Sequence, residues 1–448
     1  MLDITFGGRG QNRARVSRRG FLRVGTMTLG GLTLADALKQ RAAAATAGRP
    51  SNKKSVIFFW QDGGPSHIET YDPKPEAPSE FRGPFGAIAT AVPGVFINEL
   101  FPKHAAIMDK LSIIRSVCHD NGDHYTAQSW VWTGYFGSTN TNPAPMYPSV
   151  GSIISKVRGP NQPGLPPYVA IPPGRYLNMR PGYQTGAYLG VATNPFCVDA
   201  DPNSDHFQVQ NLEFPVGINP GRVVDRQRLL TGLDRMRRTV DTSGQIDGID
   251  RFNQIAFDLI SSGRARKAFD VSQEDARLRD RYGRNSVGQG ALLARRLIEA
   301  GVTFVSIHTA EWDNHSNIEP GMKNHAASLD PAVATLVEDL AQRGLYDDVI
   351  VLVMGEFGRT PRVNVNAGRD HWSNAFSVLL AGGGIQPGRI VGKTDDKAAW
   401  PIERPVKPAD VLHTVYQLLG VDTTIHFLNR AGRPIPILNE GEPIAELL

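Results

Sequence analysis

The apolar run Val349-Ile350-Val351-Leu352-Val353-Met354 follows the polar turn Tyr346-Asp347-Asp348 and shows no polar alternation of its own. Such a run predicts a strand covered on both faces, as in a parallel sheet with helices on each side. Ser55 to Trp60, Leu111 to Val117 and Val302 to His308 repeat the pattern, and Phe376 to Gly384 reads as a further strand. Between them the period changes. From about Val223 to Glu299, charged faces and few breakers predict helices, with Gly301 as the stop. Ala326 to Arg343 sets Leu329, Val333, Leu336 and Leu340 on one helical face, and Pro408 to Gly420 reads as a closing helix. The expected fold class is α/β: a doubly wound, mostly parallel sheet with helices on both faces. Residues 138–218, dense in Pro, Gly, Asn and Tyr, read as an irregular insertion with short strands and helices.

Each apolar run ends in a polar cluster: Asp62 with His67, His119 through His124, Asp313 with His315, and Glu356 with Arg359, Asp370 and His371. In open α/β sheets, ligands bind where loops leave the carboxyl ends of the strands, so these clusters are expected to meet. Carboxylates and imidazoles converging there form a ligand set for a divalent metal, Zn²⁺ or else Mg²⁺, Mn²⁺ or Ca²⁺. The expected ligands are Asp62, Asp313, His315, Glu356, Asp370 and His371. Arg359 is the candidate fork for an anionic oxygen, with His124 and Thr126 as further catalytic candidates. Metal-assisted hydrolysis of a phosphate or sulfate ester is the chemistry such a set suits.

Every one of these residues also has a plain structural reading. Asp62 before Gly63-Gly64 can be a turn residue, His315 a loop histidine, and Thr126 or Ser129 a helix-face hydroxyl. His67, His119 and His124 can orient other ligands instead of binding metal themselves. His104, His413 and His426 sit at helix-like or terminal positions and are read as structural.

The start of the chain carries a different signal. Arg18-Arg19 precede Phe21-Leu22, a mildly apolar Gly/Thr-rich run and the small residues "AAAATA". This pattern, over residues 1–47, reads as a twin-arginine export signal, with the α/β domain expected over 50–448. The apolar run from Val24 to Ala35 is shorter than the ~20 residues a bilayer span needs, so no permanent membrane anchor is expected. Of 48 basic and 44 acidic residues, eight and two lie in that segment, leaving 40 and 42, a formal −2. The basic pI of the whole chain therefore does not point to nucleic acid. The protein is expected in the periplasm or outside the cell, with the twin-arginine machinery as a transport partner. Cys118 and Cys197 can form a single disulfide, and neither lies in the Cys-x-Pro-x-Arg run from which formylglycine is made.

"DGGPSHIETYDPKP", "WDNHSN", "GEFGRTP", "GRDHW", "FSVLLAGGGIQPGRIVGKTD" and "GRPIPILNEGEPIAELL" resemble the domain-of-unknown-function 1501 family over essentially residues 15–448. That family is similar to the alkaline phosphatase and sulfatase superfamily, which implies an alkaline phosphatase-like fold with a metal site at the strand carboxyl ends. By the superfamily pattern, Asp62, Asp313 and His371 match metal-binding positions. Three departures stand out. Asn317 occupies the His position of the Asp-x-x-x-His pair, with His315 two residues after Asp313. Glu356 stands where an Asp is usual, followed by Phe357 instead of His. Asp120 stands four before His124, where a nucleophile is usual. The resemblance implies an exported metal-dependent hydrolase of anionic esters, such as sulfated or phosphorylated saccharides; the departures imply the alternative, a non-catalytic sulfatase-like binding or surface-associated protein.

Overall fold

The structure is a computed structural model that describes residues 53–172, 181–209, 263–309 and 311–448. The expected export signal, and the helices expected between 223 and 262, lie outside the described residues. Strands β1 (Ser55–Gln61) and β2 (Leu111–Val117) lead to helices α1 (His124–Thr133) and α2 (Val150–Arg158). Short strands β3 (Tyr168–Ile171) and β4 (Phe196–Cys197) follow, then α3 (Ser286–Ala300), β5 (Phe304–Thr309), α4 (Ile318–Gln342) and β6 (Val349–Gly355). The small strands β7 (Gly358–Arg359) and β8 (His371–Trp372) precede β9 (Phe376–Ala381), β10 (Ile390–Val391) and α5 (Pro408–Leu418).

Eight strands form the main sheet in the order β10-β2-β9-β6-β1-β5-β3-β4. β9 runs antiparallel to both neighbours, and the other pairings are parallel. Successive strand residues go to opposite layers. Ile57, Phe59, Val351 and Val353 pack with α3 and α4, while Val56, Phe58, Trp60, Ile350 and Leu352 pack with α1, α2 and α5. Both faces are covered, which is why these strands carry no polar alternation. The sheet is therefore the doubly wound, mostly parallel one expected.

Several boundaries differ from expectation for physical reasons. α4 starts at Ile318, well before Ala326, because Pro320 falls in its first turn, where a missing N–H leaves no bond unmade. β9 stops at Ala381 because Gly382, Gly383 and Gly384 all adopt positive φ. The 138–218 stretch contributes a regular helix and two strands that extend one side of the sheet. Cys118 and Cys197 form no disulfide; Cys118 follows β2 and Cys197 ends β4, on opposite sides of the sheet. Among the described residues, no helix is long and apolar enough to cross a membrane.

Strand register brings the polar loops together. Gln61 pairs with both Thr309 and Gly355, and Val117 pairs with Phe376, so β1, β2, β5 and β6 discharge their loops at one edge and His371 lies just ahead of β9. The loop between β7 and β8 is pinned from below by a fully buried ion pair, Arg369 Nη2 to Glu69 Oε1 at 2.7 Å. Arg369 also donates to the carbonyls of Thr360, Pro361 and Phe81. Removing one partner strands the other charge in the interior. Arg369→Ala should thus lower stability by about 3–5 kcal/mol in urea unfolding, with the Glu69→Ala/Arg369→Ala pair costing less than the sum of the singles. A loss below about 1 kcal/mol, the range of an exposed pair, would show that the pair does not anchor the loop.

Candidate metal centre

Four loops bring the candidate ligands to the carboxyl edge. After β1 the chain turns at Asp62-Gly63-Gly64, with φ of 110° and 77° at the glycines. A Cβ on Gly63 would stand 2.6 Å from the Asp313 backbone nitrogen, so glycine lets this turn press against the loop after β5. After β2, Asp123 caps α1 by accepting from Thr126 N at 2.9 Å and Thr126 Oγ1 at 2.6 Å. His124 is thereby the first residue of the helix.

Three imidazoles are oriented in the same way from three different loops. Nδ1 of His124 donates to Glu356 Oε1 at 2.8 Å, Nδ1 of His315 to Asp370 Oδ1 at 2.8 Å, and Nδ1 of His371 to the Gly122 carbonyl at 2.7 Å. With Nδ1–H engaged, each ring presents Nε2 as its ligand atom. All three Nε2 atoms turn to Asp313: His124 lies 3.2 Å from Oδ2, and His315 and His371 lie 3.1 and 3.3 Å from Oδ1. Nε2 of His315 and Nε2 of His371 are 2.9 Å apart.

Two lone pairs at that separation repel unless a proton or a cation lies between them. Tetrahedral ligands held at ~2.0 Å from Zn²⁺ stand about 3.3 Å from one another, close to the spacing here. One ligand atom from each of His124, Asp313, His315 and His371 falls within a common 4.8 Å. The residues present therefore fit a divalent cation, and three imidazoles with one carboxylate suit Zn²⁺ better than the all-oxygen preference of Mg²⁺ or Ca²⁺. The four side chains are 22–44% exposed, which leaves one side of the cluster open to solvent.

The charge balance points the same way. Asp313, Glu356 and Asp370 all act on the Arg359 guanidinium, and Asp313 bonds it directly. Burial alone would raise the pKa of Asp313, but hydrogen bonds from His124 and His371 and the Arg359 charge hold it well below the usual carboxylate range. Burial likewise would lower His124; hydrogen bonds to Asp313 and Glu356 override it and raise the ring to about 9. A proton on Nε2 thus occupies the electrostatic position that a cation would take. Glu356, fully buried, is pushed up by burial.

The sequence candidates divide accordingly. Asp313, His315 and His371, expected as ligands, meet at one point, and His124, expected as catalytic, joins them. Asp370 stands one bond behind, holding His315. Asp62 and Glu356 also lie outside the cluster, where Glu356 holds His124 and Asp62 accepts from His308 Nε2 at 2.7 Å. Arg359 has no exposed surface and donates to Gly63 O, Gly64 O, Arg369 O and Asp313 Oδ1, so its fork faces inward to the loops it joins. Thr126 Oγ1 points back to its helix cap.

Two residues that sequence reading passed over complete the arrangement. Gln128 donates to both Asp62 Oδ1 and Glu356 Oε1 and accepts from the Tyr183 hydroxyl. It stands four residues after His124 on the same face of α1, a spacing visible in the sequence. His308, the penultimate residue of β5, was read as strand; only the parallel pairing to β1 puts it opposite Trp60 and beside Asp62.

No curated protein sequence matches the chain. Among solved structures it is similar to a sulfatase from Pseudoalteromonas sp., at 14% identity and a TM-score of 0.37, covering 86% of this chain and 70% of that one. It is also similar to an alkaline phosphatase superfamily protein from Vibrio parahaemolyticus, at 13% and 0.39, covering 84% and 68%. A phosphonate monoester hydrolase from Silicibacter pomeroyi gives 10% and 0.37, covering 87% and 76%. The sequence profile described as protein of unknown function (DUF1501) matches residues 53–448, and the chain belongs to that family.

Proposed function

We propose that this chain is an exported, metal-dependent hydrolase of phosphate or sulfate esters, acting on anionic substrates such as sulfated or phosphorylated saccharides. The observation that carries the reading is the convergence of three Nε2 atoms on Asp313 at an exposed strand edge. His124, Asp313, His315 and His371 would hold the ion. A divalent cation so bound supplies Lewis acidity and makes water nucleophilic near neutral pH.

The remaining roles belong to the chain. Glu356, Asp370 and the Gly122 carbonyl hold the three rings in the tautomer and orientation the ligand set needs. Arg359 holds Asp313 from the buried side and offsets part of the carboxylate charge. Thr126 uses its hydroxyl on Asp123, which supports direct attack by water without a covalent intermediate. The exposed side of His315 and Asp313 is where an ester would approach.

A second reading has one observation in its favour. Four protein ligands can close a tetrahedral ion, which is the habit of structural zinc sites, and a closed site would suit a non-catalytic binding protein.

Mature protein loaded with Zn²⁺ or Mn²⁺ should hydrolyse an aryl phosphate or an aryl sulfate. His371→Ala should lose both bound metal and turnover. Its loss should exceed the ~10–100-fold fall that follows removal of an outer hydrogen bond. Metal without turnover would favour the second reading; folded wild-type protein that binds no metal would refute the proposal.

Asp370→Asn supplies a finer test. It should weaken metal affinity by about 10–100-fold in a chelator competition, because it loosens His315 without removing a ligand. An unchanged affinity would show that Asp370 does not orient the ring.

A further inference from the structure

Beside the cluster the carboxylates of Asp62 and Glu356 share one donor, Gln128, and are the remaining place at this edge where a second ion would have to sit. We infer that the centre takes a single ion, and that the Asp62–Gln128–Glu356 group beside it is closed by the protein's own hydrogen-bond donors. This rests on the metal reading above and specifies its stoichiometry.

The argument is an inventory of lone pairs. Asp62 Oδ1 accepts from the Gln128 amide, and Asp62 Oδ2 accepts from His308 Nε2 at 2.7 Å. Glu356 Oε1 accepts three times, from Gly63 N at 2.9 Å, His124 Nδ1 at 2.8 Å and Gln128 Nε2 at 3.2 Å. The Tyr183 hydroxyl donates to Gln128 Oε1, which turns the amide nitrogen toward the two carboxylates. The reverse orientation would set an amide oxygen against two anions.

The residue next to Glu356 is apolar. Phe357 follows Glu356, and its ring packs against His124 and His371 at centroid distances of 5.0 and 4.6 Å. A phenyl ring offers no lone pair. It also fits against the Gly63-Gly64 turn, where a Cβ on Gly64 would meet the ring at 2.5 Å.

Glu356 Oε2 is the one carboxylate oxygen of the pair without a partner, and it is buried. A single oxygen cannot hold a divalent ion, which needs four or more ligands. The amide of Gln128 therefore does for these two carboxylates what a cation would otherwise do, and it does so without adding charge. Its consequence is positional: Glu356 stays where His124 needs it whether or not an ion is bound next door.

The test is a count. Mature wild-type protein saturated with Zn²⁺, then desalted, should carry one ion per chain by native mass spectrometry and by elemental analysis. Gln128→Ala should still carry one. Gln128→Asp/Phe357→His, which frees Asp62 Oδ1 and supplies an imidazole, should gain a second. Two ions in the wild type, falling to one in Gln128→Ala, would overturn the inference while leaving the metal reading intact, since Gln128 would then be a ligand. No ion in folded wild type would overturn both.

Discussion

The Nε2 atoms of His315 and His371 lie 2.9 Å apart, both against one oxygen of Asp313. Imidazole lone pairs tolerate that separation only around positive charge, and the surrounding structure is arranged to keep the rings there. Each ring is tied through Nδ1 to an acceptor on another element: the β6 loop for His124, the β8 boundary for His315, and the β2 loop for His371. The level ends of β1, β5 and β6 bring the loops that carry Asp62, Asp313, His315 and Glu356 to one height. Sheet register is thus the device that turns separate loops into one site.

Charge is handled in two ways around this point. Deeper in the protein it is neutralised internally, as in the buried Glu69–Arg369 pair, or shared, as when Arg359 joins three carbonyls to Asp313. At the exposed edge Asp313 and Asp370 meet imidazoles and the Arg359 fork, and once the rings are neutral the carboxylates outnumber the guanidinium, which makes a cation the fitting ligand. Between the two lies the Asp62–Gln128–Glu356 group, where neutral donors satisfy paired anions. The stretch from Glu356 to His371, after β6, is dense in charge because it serves all three zones: Glu356 behind His124, Arg359 beneath Asp313, Arg369 anchoring the turn, and Asp370 and His371 at the surface.

Sequence made the sheet legible because buried parallel strands announce themselves as unbroken apolar runs, and β1, β2 and β6 match their runs almost residue for residue. It also pointed to Asp313, His315 and His371, since polar clusters at strand ends must converge in such a sheet. It could not separate the side chains that meet at one point from the groups behind them. Asp370 and Asp313 look alike in sequence, and only the fold puts one against Nδ1 and the other against Nε2. Arg359 reads in sequence as an anion clamp; in the fold its guanidinium serves three backbone carbonyls and Asp313 Oδ1. Gln128 and His308 carried weak signals, one a helical spacing from His124 and the other a polar residue ending a strand, and both became readable only once the strands were paired.

The most direct test of the central claim is anomalous diffraction at the zinc edge from crystals of the Zn²⁺-loaded protein. The account predicts a peak enclosed by Nε2 of His124, His315 and His371 and by the Asp313 carboxylate, at bond lengths near 2.0 Å. A peak seated between Asp62 and Glu356 instead, or no peak with the four side chains unmoved, would contradict it.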